Sequence, residues 1–416
     1  MKLFDDLVSQ VNRPPLIPTF KQVERRLLSV FMALLEISPL VRGGFLTKCG
    51  YGSGKTCTYS SWMEVSYRGS KYPEVRPDGL ILCQRGKSVW SAFIEAKAEK
   101  KDIRPDQIQD YCKLAEMVDV DLVISISNEF ARQPDELPYH LAENKRKGRT
   151  VAHFSWADIR TFLELTRNDA DLSEIENALV QQCLAYFWAD GSGIQTFDLM
   201  PSMWPDFVES ASTALGFNQN IKGLAEVVHG WQQERRDLCS KLTRLTNRSV
   251  DLRHKVGVRS NEEDRLKADK ADLANKYTLG ARYFFPDTKT NMDIHVDLRA
   301  CRTTVALEIS PPENKGAKAV TTWLARQLSQ FSDAALTLSF DWPGKNSDVT
   351  LDLQSFLAEP SIVSDGKKTP PRGMHLLISR HAVRRFKSRK LFIEDVEKTT
   401  FEMTELAMAC GWVLRS

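Results

Sequence analysis

The stretch from Arg76 to Tyr111, RPDGLILCQRGKSVWSAFIEAKAEKKDIRPDQIQDY, constrains this chain most, because it sets charged side chains inside apolar runs. Val75 to Leu82 and Val89 to Lys97 read as strands. Cys83 to Ser88 between them is polar and contains Gly86, enough to close a hairpin. Asp78 then lies on the first strand, and Glu95 and Lys97 on the second. Alternation points Glu95 and Lys97 the same way, roughly 6–7 Å apart, and the hairpin folds Asp78 towards them. An unpaired charge buried among GLIL or SAFI is costly. A divalent cation removes that cost: oxygens from Asp78, Glu95 and the Ala96 carbonyl suit Mg²⁺, with Mn²⁺ as a substitute, and a phosphate and waters complete the shell. Lys97 would orient or deprotonate the attacking water while the metal offsets charge on the scissile phosphate.

Pro77-Asp78 followed by Glu95-Ala96-Lys97 resembles the PD-(D/E)XK superfamily, the restriction-endonuclease-like phosphodiesterases. Gln107 and Tyr111, after Pro105, resemble the QxxxY element of its RecB-like branch, and their spacing puts both on one helix face, towards the strands. The resemblance spans roughly residues 20 to 165. It implies an α/β restriction-endonuclease-like domain, a glutamine that supports the site and contacts substrate, and a glutamate on the helix before the hairpin. Glu24 is the choice for that glutamate, with Glu36 at the other end of the helix as its rival. A bare Glu-x-Lys is common as a cross-strand ion pair. What distinguishes this one is the order: helix with Glu, strand with Pro-Asp, strand with Glu-x-Lys, helix with QxxxY, then an apolar strand.

Composition narrows the setting. A chain of 416 residues calls for two or three domains, and 42% hydrophobic with 27% charged residues describes a globular protein with no apolar run of membrane-spanning length. The start MKLFDDLVSQ carries two acids where a signal peptide has its apolar core, so a cytoplasmic location is expected. Eight scattered cysteines without a CxxC pair indicate reduced thiols and no structural zinc. A net charge of +3 does not by itself imply nucleic acid.

In chain order, apolar residues from Phe20 to Ser38 recur at helical spacing, and Pro39 with Gly43-Gly44 is read as the stop. Gly50 to Thr56 looks like a phosphate loop, but Cys49 stands where the Walker A pattern needs glycine and an extended polar run follows. No nucleotide cofactor is expected, although Lys55 remains a candidate for a DNA phosphate. Val120 to Ser127 and Arg149 to Phe154 read as strands, Trp156 to Leu165 as a closing helix, and His153 as structural. Beyond Leu172 the pattern is helical: Asn177 to Trp188, then Ile221 to Val256 with an a/d stripe at Leu238, Leu242, Leu245, Leu252 and Val256, then a helix announced by Ser260 and Glu263. This hairpin either pairs with a second subunit, giving a homodimer, or closes an intramolecular bundle. Runs at 281–285, 292–298, 303–309, 335–341 and 374–379, with helices at 317–330 and 392–410, make the last part α+β. Within it Arg380, Arg384, Arg385, Lys387 and Arg389 form a basic run able to neutralise phosphates.

The expected organisation is a nuclease domain at 1–168, a helical dimerisation or linker region at 169–277, and an α+β DNA-binding or sensing domain at 278–416. The expected activity is Mg²⁺-dependent cleavage of DNA by an endonuclease similar to prokaryotic restriction or phage-defence enzymes. The alternative is an inactive nucleic-acid-binding or scaffold protein on the same fold.

Overall fold

The computed structural model describes residues 13–52, 56–67, 71–131, 136–168, 171–212, 221–253, 262–344 and 348–414. The chain divides into two compact units, Met1–Thr196 and Phe197–Ser416. Both mix helices with a sheet.

The first unit runs through α1 (Val23–Ile37), α2 (Pro39–Lys48), β1 (Thr58–Met63), β2 (Gly79–Arg85), β3 (Ser88–Ala96), α3 (Pro105–Val118), β4 (Leu122–Ser127), β5 (Thr150–Ser155), α4 (Trp156–Arg167) and α5 (Glu174–Trp188). Its sheet has the order β1-β2-β3-β4-β5; β1, β2 and β3 are antiparallel neighbours, while β3, β4 and β5 run parallel. Alternation along the strands sends Ile81, Ile94 and Ile124 to one face, where they pack with Leu28, Phe31, Trp156 and Phe187 from α1, α4 and α5. Leu80, Phe93 and Val123 go to the other face, against Ile108, Tyr111 and Leu114 of α3. The sheet is therefore covered on both sides, which accounts for the uninterrupted burial of β4.

Pro39 does not end the helical region; it begins a second helix. Proline at a first helical position lacks an N–H that would have no intrahelical partner. The Ser38 hydroxyl caps α2 by accepting from the Val41 N–H at 3.3 Å. Gly44 is a packing glycine, since a Cβ there would lie 2.9 Å from the Phe162 ring of α4.

The hairpin turn is also tighter than expected. Cys83 and Gln84 pair with Trp90 and Val89, and only Gly86 and Lys87 turn, with Gly86 at φ 59°. At its other end β2 begins at Gly79 rather than Val75, so Asp78 stands one residue ahead of the strand. Its carbonyl still accepts from the Glu64 N–H at 2.9 Å, which holds it in line with the ladder.

The second unit contains α6 (Trp204–Ser212), α7 (Leu224–Thr246), β6 (Asp251–Arg253), α8 (Glu262–Lys276), β7 (Thr278–Phe285), β8 (Thr290–Asp297), β9 (Arg302–Ile309), α9 (Ala317–Leu328), β10 (Thr337–Asp341), β11 (Val349–Asp352), α10 (Leu353–Ala358), β12 (Gly373–His381), α11 (Val383–Lys387) and α12 (Arg389–Ala409). Its seven strands, in the order β11-β10-β12-β9-β8-β7-β6, pair antiparallel throughout.

The expected helix from Ile221 to Val256 stops at Thr246, where Asn247 turns left-handed at φ 55°. Leu252 therefore sits on an edge strand, while Leu238 and Leu242 are buried in this unit's own core with Trp231 and Tyr283. The leucine stripe thus serves an intramolecular core at those positions. Val256, Ser260 and the Glu263 side chain lie outside the described residues, as does Lys55. Nor does the boundary fall at 168: Val180, Cys183 and Phe187 of α5 pack into the first unit's core. The helices at 224–246 and 262–276 share a unit with the antiparallel sheet that follows them. Among the described residues no single helix is long and apolar enough to cross a membrane.

Candidate active site

The ladder of the hairpin sets the geometry of the site. Gly79 pairs with Ile94, so Asp78 stands opposite Glu95, on the face that β2 and β3 turn towards α3. The Asp78 carboxylate accepts from the Ala96 N–H at 2.9 Å and lies within hydrogen-bonding reach of the Glu95 carboxyl. Lys97 follows β3 directly, and its own N–H donates to the Ile126 carbonyl of β4 at 2.8 Å. Within one peptide the C=O points opposite to the N–H, so the Ala96 carbonyl faces the Asp78 side. The Lys97 ammonium pairs with Glu95 Oε1; Glu95 is fully buried, whereas the Lys97 side chain keeps 20% of its surface exposed.

Helix α3 closes the far side. The Tyr111 hydroxyl contacts Glu95 Oε2 and the Arg76 carbonyl, the latter at 2.8 Å, and Gln107 Nε2 donates to that hydroxyl at 3.4 Å. The i,i+4 spacing thus turns both residues towards the strands, as expected.

Glu24 sits in the first turn of α1. Its Oε1 accepts from Lys101 at 2.8 Å, and its Oε2 is buried without a partner. Glu36, the rival, is engaged elsewhere, accepting from Ser61 Oγ at 3.1 Å and from Arg13 at 3.4 Å.

The electrostatics follow from this crowding. Burial, and then the Glu95 carboxylate, push the Asp78 carboxyl up to about 8, against the opposing pull of the Ala96 N–H and the Lys97 charge. Burial and the same two carboxylates hold the Tyr111 hydroxyl far above the ordinary phenol range, so it remains a donor. Burial also raises Glu24, but its bond to Lys101, with Lys97 nearby, outweighs burial and keeps its carboxyl below the usual value.

The opposed carboxyls of Asp78 and Glu95 and the inward Ala96 carbonyl form a donor set of hard oxygens, which fits a small divalent cation; Glu24, bonded to Lys101, does not join Asp78 and Glu95 in a group of acids close enough to share one ion. Asp78, Glu95 and the Ala96 carbonyl would hold it.

Two contributors escaped the sequence reading. Trp156 Nε1 donates to the Lys97 carbonyl at 2.7 Å, and Lys101 neutralises Glu24. Nothing local to Trp156 signals this role; Lys101 lies in the polar run that follows the Glu-x-Lys.

Other candidates separate from this cluster. His153 is buried on β5, with Nδ1 2.9 Å from Ser125 Oγ and Nε2 2.8 Å from the Glu129 carbonyl, a structural setting. The stretch around Gly50 follows a helix and precedes a strand, the reverse of a phosphate loop. In the second unit, Arg380 pairs with Glu402, Arg385 with Asp395 at 2.8 Å and Lys387 with Glu209 at 3.6 Å. Arg389 donates to the Met200 carbonyl at 2.5 Å, and Arg384 is exposed.

No protein-family model, curated protein or solved structure matches the chain.

Proposed function

We propose that the first unit is a Mg²⁺-dependent phosphodiesterase of restriction-endonuclease-like fold that cleaves DNA internally. One observation carries this reading: the β2–β3 register brings Asp78, Glu95 and Lys97 into a single buried cluster with a solvent-facing lysine. A hairpin followed by a helix and a parallel strand is the frame that the resemblance implies, and the Gln107–Tyr111 pair supports it from α3.

Each residue has a task. Asp78 and Glu95 bind the cation, and Tyr111, as a fixed donor, holds Glu95 in its rotamer. Lys97 reaches solvent from the same strand end, where it orients the attacking water and donates to a phosphate oxygen. Glu24, with one oxygen engaged by Lys101 and the other buried and unpartnered, is the family-type glutamate of the preceding helix, a supporting residue rather than a ligand of the cation. When bound, Mg²⁺ supplies Lewis-acid stabilisation of charge on the phosphate.

Thermal unfolding of the full chain in Mg²⁺ and in EDTA separates an enzyme site from a scaffold that merely keeps the fold. The expected result is a Mg²⁺-dependent rise in Tm that Asp78→Asn and Glu95→Gln both remove. Equal Tm in Mg²⁺ and EDTA for the native chain would favour the scaffold.

A further inference from the structure

The second unit holds another group of acids that the proposed reaction does not use. Glu234 and Asp237 lie on one face of α7, and Glu397 reaches them from α12; an oxygen from each lies within 4.8 Å of the others. Acid clusters are common, but this one is unbalanced. Lys241, one turn along α7, pairs with Asp237 Oδ2 at 2.8 Å and with Glu397 Oε1 at 2.5 Å. One ammonium faces three carboxylates.

The independent observation is Glu234 itself. It is fully buried, and neither of its carboxylate oxygens has a hydrogen-bond partner; Asp237 Oδ1 is likewise buried and unpartnered. Buried polar atoms are nearly always satisfied, so a fully buried carboxylate with both oxygens orphaned, beside two further acids with an oxygen each within 4.8 Å, calls for a ligand.

We propose that Glu234, Asp237 and Glu397 form a structural site for an oxygen-ligated divalent cation of Ca²⁺ size, clipping α7 to α12. The charge argues for a dication, because two negative charges remain after Lys241 is counted. Separations of no more than 4.8 Å can be spanned by Ca²⁺–oxygen bonds of roughly 2.3–2.6 Å. The full burial of Glu234 and Asp237 favours Ca²⁺, because Mg²⁺ gives up its waters reluctantly. Burial raises the Glu234 and Glu397 carboxyls, so the alternative is a proton in place of the cation.

The test uses the full chain carrying Asp78→Ala and Glu95→Ala, which removes the ligands of the first unit, so that failure here is distinct from failure of the nuclease reading. Mn²⁺ serves as a spectroscopic probe by electron paramagnetic resonance, and Ca²⁺ as competitor and in thermal unfolding. The expected result is about one Mn²⁺ bound per chain, displaced by Ca²⁺, with Ca²⁺ raising Tm. Glu234→Gln and the partly exposed Glu397→Gln each weaken binding at least tenfold, on the order of one ligand's contribution. Glu397→Gln keeps the test decisive if Glu234→Gln fails to fold. No Mn²⁺ bound by the folded chain, or binding that survives both substitutions, would overturn the proposal and leave a protonated, lysine-bridged network.

Discussion

Asp78 is held by its backbone where its charge is opposed, and that sets a pH dependence. In the metal-free chain the folded state keeps a proton on Asp78 up to about 8, while the unfolded state releases it in the ordinary carboxylate range. Between those limits the folded state binds more protons, so stability falls as pH rises. Glu129, raised to about 7 by burial and then Asp102, contributes a fall of the same sign. Tm measured in EDTA from pH 5 to 8 should therefore decline, and Asp78→Asn should flatten the part of the slope that Asp78 causes. Mg²⁺ must displace the proton, so its affinity, read by titration calorimetry, should climb by up to about tenfold per pH unit below that value. An affinity independent of pH across this range would contradict the assignment. The residue-level placement was legible because a period of two is unambiguous: Glu95 and Lys97 had to share a face. Lys101 and Trp156 were not legible, because each acts across long stretches of chain, on Glu24 and on the Lys97 carbonyl.

At the level of elements, α3 and α4 are what make the hairpin into a site. Tyr111→Phe leaves Glu95 Oε2 without its donor, a loss worth about 1–3 kcal/mol for a buried charged group. Chemical denaturation should show that loss, and activity should fall further than stability alone explains. Trp156→Phe, which deletes the donor to the Lys97 carbonyl and leaves part of a fully buried indole's volume empty, should cost about 2–4 kcal/mol in the same measurement. The Ser155 capping box with Asp158 fixes the start of α4 and so the place of that indole. Element ends were less legible than element kinds. Pro39 and Gly44 carry breaker chemistry, yet here they serve as a helix start and a close helix crossing. A two-residue turn and the expected six-residue one cannot be told apart when Cys83, Gln84, Arg85 and Ser88 suit either strand or loop. Edge strands β6 and β11, three and four residues long, alternate over too few positions to stand out from loop.

For the molecule as a whole, the units differ from the expected partition because a helical pattern does not say which sheet it will cover. The leucines at 238 and 242 found an apolar partner within their own unit, and α5 found one in the other. The basic run shows the same effect in charge: Arg380, Arg385, Lys387 and Arg389 face Glu402, Asp395, Glu209 and a carbonyl, while Arg384 is exposed, so few of these cations remain for phosphate. Substituting Arg385 and Lys387 by Ala should accordingly change the slope of log affinity for DNA against log salt by less than about one unit, the shift of a single phosphate contact. A larger flattening would make this surface a DNA contact after all. The central claim is tested most directly by incubating the purified chain with supercoiled and linear DNA in Mg²⁺, Mn²⁺ and EDTA, beside Glu95→Ala and Lys97→Ala. The account predicts metal-dependent nicking or linearisation of the supercoil, reduced by about 10²–10⁴-fold in Lys97→Ala and at least as far in Glu95→Ala. Cleavage that persists in both variants, or no cleavage by the native chain with any of the three, would contradict it.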